Sequence, residues 1–518
     1  MYLTQFLHKS LRECPDATMT VFGNRRQTCT EFTSRVARAA SVLQSHGLAA
    51  GDRVGMLSLN SDRYLEFFFG TLWAGGVINP INIRWSPSEI AYSLDDCDTR
   101  ILLVDSAFSG LVEAIREQSD ALQTVLYVGD DGVPSGLLDY ESMVQQASEV
   151  PDAMRGGDDL AGVFYTGGTT GKPKGVMLSH TNIYSVSLGT LVAGPRPERA
   201  VGLHAAPLFH IGGIGLTIQL AARQGSHVVI PQFEPKAVLD AIEREAVQET
   251  FLVPTMLGRV LDDPEFGQRD TSSLEVVIYG AAPIDSSLLD KATAAIPGAS
   301  FIQLYGMTEL SPVATLLPAW CHTPEGRKAE KLLSAGRPIP TAEVRVVDPE
   351  GRDVPTGEVG EIAVRGPTVM QGYWGKPEQT AEALRDGWMY TGDAGRMDHD
   401  GFLFVVDRLK DMIVTGGENV YSAEVEDAIL KHPKVQACAV IGVPDEDFGE
   451  RVHAVLVLRG GEQLSQEELF AHCSSLIGRY KCPRSMEVRD EIPLSAAGKM
   501  LKYKLREPYW KGRGRKLV

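Results

Sequence analysis

Several features are absent from this sequence, and each absence excludes a class of protein. There is no excess of positive charge: the formal net charge is −17, which argues against nucleic acid as the main partner because phosphate backbones attract cations. There is no C-x-x-C pair among the seven cysteines, which argues against a zinc site and suits a reducing compartment. The longest apolar run, 67–78, is interrupted by Gly and Trp and is too short to span a bilayer.

The two ends of the chain carry little information about targeting or partners. The N-terminus, MYLTQFLHKS, lacks the charged-then-apolar pattern of a secretory signal. The basic tail 511–516, KGRGRK, is short, and a solvated end is the simpler interpretation. These observations predict a cytoplasmic enzyme with no transmembrane segment and no nucleic-acid partner, and they leave open peripheral membrane contact through an exposed apolar patch.

Hydrophobic patterning predicts an α/β protein with more than one domain. A chain of 518 residues exceeds the size at which a single core stops growing. Before residue 334, strand-like runs such as 53–59 alternate with helical patterns such as 62–72, which is typical of crossover units and largely parallel sheets. Residues 334–405 have short strands between Pro/Gly turns and predict a small antiparallel unit. From 407 onward about 110 residues could form a separate core.

Within that last stretch, two serines are predicted to start helices. Ser422 is expected to cap a helix at 423–431. Ser465 and Glu468 have the spacing of a capping box before an apolar run.

The most informative segment reads YTGGTTGKPKGV at 165–176. Its glycines leave the backbone bare, so that N–H groups can approach a polyphosphate, and its threonines and lysines add donors and positive charge. Apolar runs precede and follow it, so we expect a loop between two strands. The residues predicted to contact phosphates are Thr166, Gly167, Gly168, Thr169, Thr170, Gly171 and Lys174.

This segment is not a Walker loop, G-x-x-x-x-G-K-[ST]. Counting back five from Gly171 gives Thr166, and Lys172 is followed by Pro173, which denies the chain a simple run into a helix. The pattern therefore indicates a phosphate loop of another type. The alternative is a flexible glycine-rich surface turn.

The loop resembles the signature [YF]-T-S-G-[ST]-T-G-x-P-K-G of the adenylate-forming superfamily, which comprises acyl-CoA synthetases, peptide-synthetase adenylation domains and beetle luciferases. Gly167 departs from it, since the pattern has Ser there. The resemblance implies a large N-terminal domain, residues 1–407, of stacked mixed β-sheets with flanking helices plus the small antiparallel unit. It also implies a small, mobile α+β C-terminal lid domain, residues 408–518.

Other motifs follow in the superfamily's order and imply a nucleotide site. QLYGMTE at 303–309 resembles Y-G-x-T-E, which implies Tyr305 on the adenine, Thr308 near the phosphate and Glu309 on Mg²⁺, a cation that prefers carboxylate oxygen. The superfamily's T-G-D and D-R imply that Asp393 and Arg408 hold the ribose, since an ionised carboxylate accepts from two hydroxyls. Gly280, Ala281, Ala282, Gln303 and Gly306 are also assigned to the nucleotide. For each charged residue alone, a solvated side chain is the simpler interpretation.

Three assignments near the C-terminus depend on the resemblance. Lys499, in SAAGKMLK, resembles a C-terminal G-K whose lysine bridges the carboxylate and the α-phosphate; two anions repel, and a cationic donor offsets that repulsion. Pro493-Leu494 departs from the more common Pro-Lys or Pro-Arg. Lys410 is implied as the hinge of domain rotation, and the loop containing Gly416 and Gly417 as a wall of the CoA tunnel.

His210, in PLFHIGG, bears on the substrate. Peptide-synthetase domains often carry Asp at the corresponding place to hold an ammonium group, so His argues against an α-amino acid and favours an acid with an uncharged apolar tail. The alternative is a core histidine with no role in binding. The predicted acyl pocket consists of His210, Gly212, Gly213, Tyr279 and Gly280.

The resulting prediction is an ATP-dependent carboxylic acid–CoA ligase that acts through acyl-AMP and releases AMP and pyrophosphate. Its catalytic residues are predicted to be Lys499, Thr166, Glu309 and His210, with ATP, Mg²⁺ and coenzyme A as cofactors or co-substrates. A medium- or long-chain fatty acid is preferred as substrate. The alternatives are an aryl acid of the cinnamate or benzoate type, transfer to a carrier protein, luciferase-like oxygenation and a non-catalytic nucleotide sensor. A homodimer is left open.

Overall fold

A computed structural model describes residues 1–166, 172–282, 284, 286–409, 411–416, 418–494 and 500–511, with only the backbone of Arg408. The chain forms two compact units. Unit 1 consists of Met1–Ala281, Asp290–Val344 and Val364–Met389, and unit 2 of Ala282–Leu289, Arg345–Ala363 and Tyr390–Val518. The predicted domain boundary at 407/408 stays a prediction.

Helices and strands alternate through most of the described chain. The helices are α1 (Gln5–Glu13), α2 (Cys29–Ser45), α3 (Asp62–Trp73), α4 (Pro87–Asp96), α5 (Val112–Arg116), α6 (Tyr140–Gln146), α7 (His180–Ala193), α8 (Ile211–Ala222), α9 (Pro235–Glu245), α10 (Pro254–Leu261), α11 (Ser286–Ala295), α12 (Pro324–Lys328), α13 (Pro377–Ala383), α14 (Ser422–Leu430), α15 (Gln466–Ser474) and α16 (Lys502–Trp510).

The strands of the first half are β1 (Thr18–Phe22), β2 (Arg25–Thr28), β3 (Arg53–Leu57), β4 (Val77–Pro80), β5 (Thr99–Val104), β6 (Thr124–Tyr127), β7 (Leu138–Asp139), β8 (Leu160–Thr166), β9 (Lys174–Ser179), β10 (Val201–His204), β11 (Ser226–Val229), β12 (Glu249–Leu252) and β13 (Val276–Gly280). Those of the second half are β14 (Ser300–Tyr305), β15 (Thr315–Leu317), β16 (Arg337–Pro338), β17 (Glu343–Val347), β18 (Gly360–Arg365), β19 (Gly372–Tyr373), β20 (Leu384–Arg385), β21 (Trp388–Met397), β22 (Leu403–Arg408), β23 (Ile413–Thr415), β24 (Glu418–Val420), β25 (Val435–Asp445), β26 (Gly449–Leu458) and β27 (Ser485–Val488).

Unit 1 contains two mixed sheets. The nine-stranded sheet has the order β16-β15-β14-β13-β12-β10-β11-β1-β2, and the eight-stranded sheet the order β19-β9-β8-β4-β3-β5-β6-β7. Strands β10 to β14 pair in parallel, whereas β8 and β9 form an antiparallel pair. The predicted mixed α/β fold with crossover units is confirmed, because parallel neighbours require such connections.

Local sequence explains where the helices of unit 1 begin and which of them are buried. Thr28 and Glu31 form a capping box at α2: the Glu31 N–H donates to Thr28 Oγ1 at 3.1 Å, and the Thr28 N–H to Glu31 Oε2 at 2.8 Å. Helix α3, predicted from 62–72, is buried at every residue. Its buried charges are paired, Asp62 with Arg25 and Glu66 with Arg35, as charged side chains in a core must be.

The chain also has two smaller sheets and a set of C-terminal helices. One sheet has the order β17-β18-β21-β20 with β22 on β21, and the other β24-β23-β26-β25 with β27 on β26. Strands β25 and β26 pair over their whole length, and their apolar side chains form a core with α14 and α15. The predicted antiparallel unit and the predicted α+β region after it are therefore present.

The two serine caps turn out differently. Ser465 accepts a hydrogen bond from the Glu468 N–H at 3.1 Å, as predicted for the start of α15. The prediction for Ser422 is wrong: it is the first residue of α14, preceded by Tyr421 at the cap position, and its hydroxyl donates to Asp407. A tertiary partner has taken the hydroxyl that was expected to cap the helix. Within the described ranges, no helix combines the length and apolarity that a membrane crossing requires.

Candidate active site

The predicted phosphate loop connects two antiparallel strands, as expected. Strand β8 ends at Thr166 and β9 begins at Lys174, and these two residues are opposite each other in the register. Residues 167–171, which include Gly167, Gly168, Thr169, Thr170 and Gly171, lie outside the described residues. Lys172 places its Nζ 4.6 Å from the centre of the Tyr92 ring. The strand register thus brings the first threonine and the last lysine of the loop together at its base.

A buried carboxylate lies near the same strand. Glu309 is in a short 3₁₀ turn, Thr308–Leu310, and is 6% exposed. The Tyr373 hydroxyl donates to Glu309 Oε1 at 2.9 Å, and the Nζ of Lys174 is 4.8 Å from the centre of the Tyr373 ring. Burial and the neighbouring Glu309 charge raise the pKa of Tyr373, so the phenol stays a donor. Tyr373 therefore connects the predicted magnesium ligand to the base of the phosphate loop.

The other unit 1 candidates lie at one edge of the nine-stranded sheet. Strands β10, β12, β13 and β14 are parallel neighbours, so their carboxyl ends meet there. Open α/β sheets bind ligands at this edge. At or after the ends of these strands lie His210, Gly280 with Ala281, and the segment from Tyr305 to Thr308, whereas the predicted residue Ala282 belongs to unit 2. Gln303, within β14, donates to the Leu304 carbonyl at 3.3 Å and is half-buried.

Close backbone approach explains two glycines at this edge. A Cβ at Gly280 would lie 2.3 Å from the Leu304 oxygen, and one at Gly306 would lie 2.1 Å from the Pro312 oxygen. Ala281, which follows β13, has φ +66°, a conformation that costs a non-glycine residue about 1–3 kcal/mol. Such strain is commonly found at ligand-binding turns, which agrees with the predicted role of this turn.

One face of helix α8 next to His210 carries two glycines. His210 is the N-cap residue of α8 and is half-buried, with its ring 4.2 Å from that of Phe209. Among the described residues, a Cβ at Gly212 would meet Phe251 at 3.8 Å, and one at Gly215 would meet Pro312 at 3.7 Å. Since residues three apart share a helix face, these two glycines leave one face of α8 bare.

Two members of the predicted acyl pocket do not lie on that face. A Cβ at Gly213 would come within 2.7 Å of the Leu208 backbone, so this glycine serves close packing. The register pairs Phe251 with Ile278, so Tyr279 points to the opposite side of the sheet, where its hydroxyl is 2.9 Å from His322 Nε2. Phe251, rather than Tyr279, is the aromatic side chain at the bare face of α8.

The predicted ribose residues are neighbours in unit 2. Asp393 on β21 is directly opposite Arg408 on β22. The Asp393 N–H donates to Thr391 Oγ1 at 3.1 Å, and the Gly392 N–H donates to Glu361 Oε1 at 3.0 Å. These bonds fix the backbone that presents the Asp393 carboxylate.

The described part of the predicted CoA loop is a tight turn. Gly416 follows β23 with φ +61°, and its N–H donates to the Phe448 carbonyl at 2.9 Å. A Cβ there would come within 3.1 Å of the Phe448 ring. Gly417, the predicted hinge Lys410 and the predicted catalytic Lys499 lie outside the described residues.

Sequence reasoning missed Tyr373 and Phe251. Tyr373 is 64 positions from the glutamate it contacts, and no motif of the sequence connects them. Phe251 lies in an ordinary apolar strand pattern. Tertiary contacts bring these side chains to the candidate residues: β19 pairs with β9 at the base of the loop, and Phe251 lies at Gly212 of α8.

Known proteins resemble this chain over most of its length. Residues 7–374 match the family model described as AMP-binding enzyme, and residues 424–499 match that of the AMP-binding enzyme C-terminal domain. The chain is 40% identical over 499 residues to a feruloyl-CoA synthase of Amycolatopsis sp, covering 96% of this chain and 97% of that protein. It is 36% identical over 521 residues to the medium/long-chain-fatty-acid–CoA ligase FadD8 of Mycobacterium tuberculosis, covering 98% and 90%.

A solved structure shares the fold over the whole length. ATP-bound MatB from Rhodopseudomonas palustris has a TM-score of 0.89 and 32% sequence identity, covering 99% of this chain and 100% of that chain. The chain therefore belongs to the AMP-binding enzyme family, the adenylate-forming superfamily that its motifs predict, and it is an AMP-forming acid–CoA ligase.

Proposed function

We propose that this ligase activates a carboxylic acid with an uncharged, apolar tail. The carboxylate attacks the α-phosphorus of ATP, giving acyl-AMP and pyrophosphate; the thiol of CoA then attacks the acyl carbonyl and expels AMP. The observation that carries the choice of acid is the bare face of α8 at Gly212 and Gly215, opposite Phe251 and Pro312. An apolar tail gains free energy by covering such a face, about 25 cal/mol per Å² of apolar surface removed from water.

In the first step, the loop after β8 binds the polyphosphate of ATP. Thr166, Thr169 and Thr170 donate hydroxyls, and Lys174 supplies positive charge at the base of the loop. Support comes from the position of Lys174, whose neighbour is the neutral Tyr373 ring at 4.8 Å. Lys499 offsets the repulsion between the carboxylate and the α-phosphate as charge develops in the transition state.

Magnesium fits this site as a partner of Glu309 and the phosphates. Among the residues that the structure describes, no group of three or more His, Cys, Asp or Glu side chains is placed to hold a metal ion. Mg²⁺ does not need one, because it is commonly bound by one or two carboxylates together with substrate phosphates. The ion would neutralise charge on the phosphates, and Tyr373 orients the Glu309 carboxylate for that purpose by donating to one oxygen.

The adenine and ribose are assigned to the turn at Gly280–Ala282, to Tyr305, and to Asp393 and Arg408. For the second step, we propose that the C-terminal domain rotates about Lys410 and withdraws Lys499. The loop of Gly416 and Gly417 then lines the path of CoA. Motion of this kind lets one site perform two reactions.

A medium- or long-chain fatty acid remains the preferred substrate. Glycines at 212 and 215 leave room along the helix, which suits an extended alkyl chain. The second candidate is an aryl acid of the cinnamate type, which the 40% identity to a feruloyl-CoA synthase favours. A ring would pack against Phe251 in the same space.

A pyrophosphate-release screen with alkyl and aryl acids, each with and without CoA, tests the proposal. We expect release with an apolar acid and formation of its CoA thioester. Pyrophosphate release without CoA turnover would favour transfer to a carrier protein. Tight ATP binding with no release for any acid would indicate a nucleotide sensor.

Gly212→Leu is expected to shorten the acyl pocket. The new side chain would extend toward Phe251, which a Cβ at this position would meet at 3.8 Å. We expect kcat/KM for the longest accepted acid to fall about ten-fold or more relative to a short acid, as for a few methylenes lost from a pocket. Gly213→Ala is the control. Crowding against Leu208 should lower its melting temperature, and the ratio of kcat/KM values for the long and the short acid should stay unchanged. If Gly212→Leu leaves the ratio of kcat/KM values for the two acids unchanged, α8 does not line the acyl pocket.

A further inference from the structure

Lys502 is a largely buried lysine that contacts Glu426 and Ser422. It is the first residue of α16, and its side chain is 10% exposed. Its Nζ lies 2.8 Å from Glu426 Oε1 and donates to Ser422 Oγ at 2.6 Å. Burying an ammonium group without partners costs free energy. The surrounding structure must therefore keep Glu426 and Ser422 in contact with Lys502.

Ser422 connects Lys502 to Asp407 through hydrogen bonds. The Ser422 N–H and hydroxyl both donate to Asp407 Oδ2, at 2.5 and 2.7 Å. Both Asp407 and Ser422 are buried. The Ser422 oxygen thus accepts a hydrogen bond from Lys502, and the Ser422 hydroxyl donates one to Asp407. These bonds join the starts of α14 and α16 to the end of β22.

A second ion pair joins the same helix to the chain beyond residue 410. Arg506, one turn after Lys502, pairs with Asp411 through Nη2 and Oδ1 at 2.5 Å. Both side chains are largely buried, at 11% and 13% exposed. Helix α16 therefore holds the chain on either side of the predicted hinge, at Asp407 and at Asp411.

The segment that carries Lys499 leads directly into α16. Leu494 and Met500 form a bridge, and the Leu501 N–H donates to the Pro493 carbonyl at 2.8 Å. Leu494 and Met500 are therefore held next to each other, and the next anchored side chain along the chain is Lys502.

We propose that Lys502 is a positioning residue for adenylation: through Glu426, Ser422 and Asp407 it fixes the base of the segment that presents Lys499. This inference rests on the proposed role of Lys499. Lys502 is not assigned a contact with substrate. Its effect is to reduce the number of positions that the base of the Lys499 segment can occupy, and misplacement by about 1 Å can cost a hundred-fold in rate.

A purely structural role predicts a different result. If the buried charges served only stability, their loss would lower the folded fraction and reduce both half-reactions equally. A positioning role lowers the rate of acyl-AMP formation and leaves thioester formation from supplied acyl-AMP intact. The ratio of the two half-reactions therefore separates the two explanations.

The test uses the full-length protein with the acid identified by the pyrophosphate screen. Lys502→Met removes the charge, Lys502→Arg restores it, and Lys504→Met changes an exposed lysine on the same helix. We expect Lys502→Met to lower single-turnover acyl-AMP formation about ten-fold or more, and to change thioester formation from acyl-AMP and CoA by less than about two-fold. Lys502→Arg should recover most of the loss, and Lys504→Met should match the wild type.

Ser422→Ala covers the case in which Lys502→Met does not fold. It keeps the Lys502–Glu426 ion pair and removes only the hydroxyl between Lys502 and Asp407. We expect a loss of about three- to five-fold in acyl-AMP formation alone, with a circular dichroism spectrum like that of the wild type.

Equal losses in the two half-reactions, or full adenylation by folded Lys502→Met and Ser422→Ala, would overturn the proposal. Lys499→Ala, assayed in parallel, shows whether the positioning role of Lys502 fails alone or together with the proposed role of Lys499. If Lys499→Ala stops adenylation and the Lys502 and Ser422 variants do not slow it, only the positioning role fails. If Lys499→Ala adenylates normally, both proposals fail.

Discussion

Lys499→Ala is expected to lower the rate of acyl-AMP formation by about a thousand-fold, while thioester formation from supplied acyl-AMP and CoA continues at close to the wild-type rate. The reason is the charge of the first step: a carboxylate must approach an α-phosphoryl group that is itself anionic. A cationic donor that acts where charge develops contributes to the rate about as much as an oxyanion-hole donor does, about 10²–10³-fold.

Pyrophosphate release without CoA measures the first half-reaction, and thioester formation from synthetic acyl-AMP measures the second. Lys504→Ala is the matched control, since Lys504 is exposed on the neighbouring helix α16. Parallel loss of both half-reactions in Lys499→Ala would show that this lysine does not act specifically in adenylation.

The second large effect is expected for Glu309→Gln, with about a hundred-fold loss of acyl-AMP formation and a higher Mg²⁺ requirement. Glutamine has nearly the same shape and can still accept from the Tyr373 hydroxyl, which now donates to Glu309 Oε1 at 2.9 Å. What it lacks is the negative charge that a hard divalent cation prefers. The variant therefore tests charge rather than packing.

Initial rates over a range of Mg²⁺ concentrations give the comparison. Tyr373→Phe serves as the partner variant, because it keeps the carboxylate and removes one donor; we expect a loss of about ten-fold or less. A Glu309→Gln enzyme with wild-type Mg²⁺ dependence would mean that Glu309 does not hold the ion.

The sequence predicted those parts of the protein that depend on local pattern. Alternation of strand and helix runs indicated the mixed α/β fold, and the glycine-rich segment between two apolar runs indicated a loop joining β8 to β9. The segment after β14 that contains Glu309 follows a strand end, where a parallel sheet collects its binding residues. Such features repeat at short spacing, so they can be identified without knowing the tertiary structure.

Other contacts were decided by the tertiary structure alone. Tyr373 reaches Glu309 across 64 positions, and Lys502 reaches Ser422 across 80. The prediction that Ser422 caps a helix is wrong because of another such contact: the Ser422 hydroxyl donates a hydrogen bond to Asp407. Short motifs fixed the kind of chemistry, since bare backbone and local charge suffice to indicate phosphate binding. Which side chains orient that chemistry depended on strand register and helix packing, because these bring together residues that no local pattern connects.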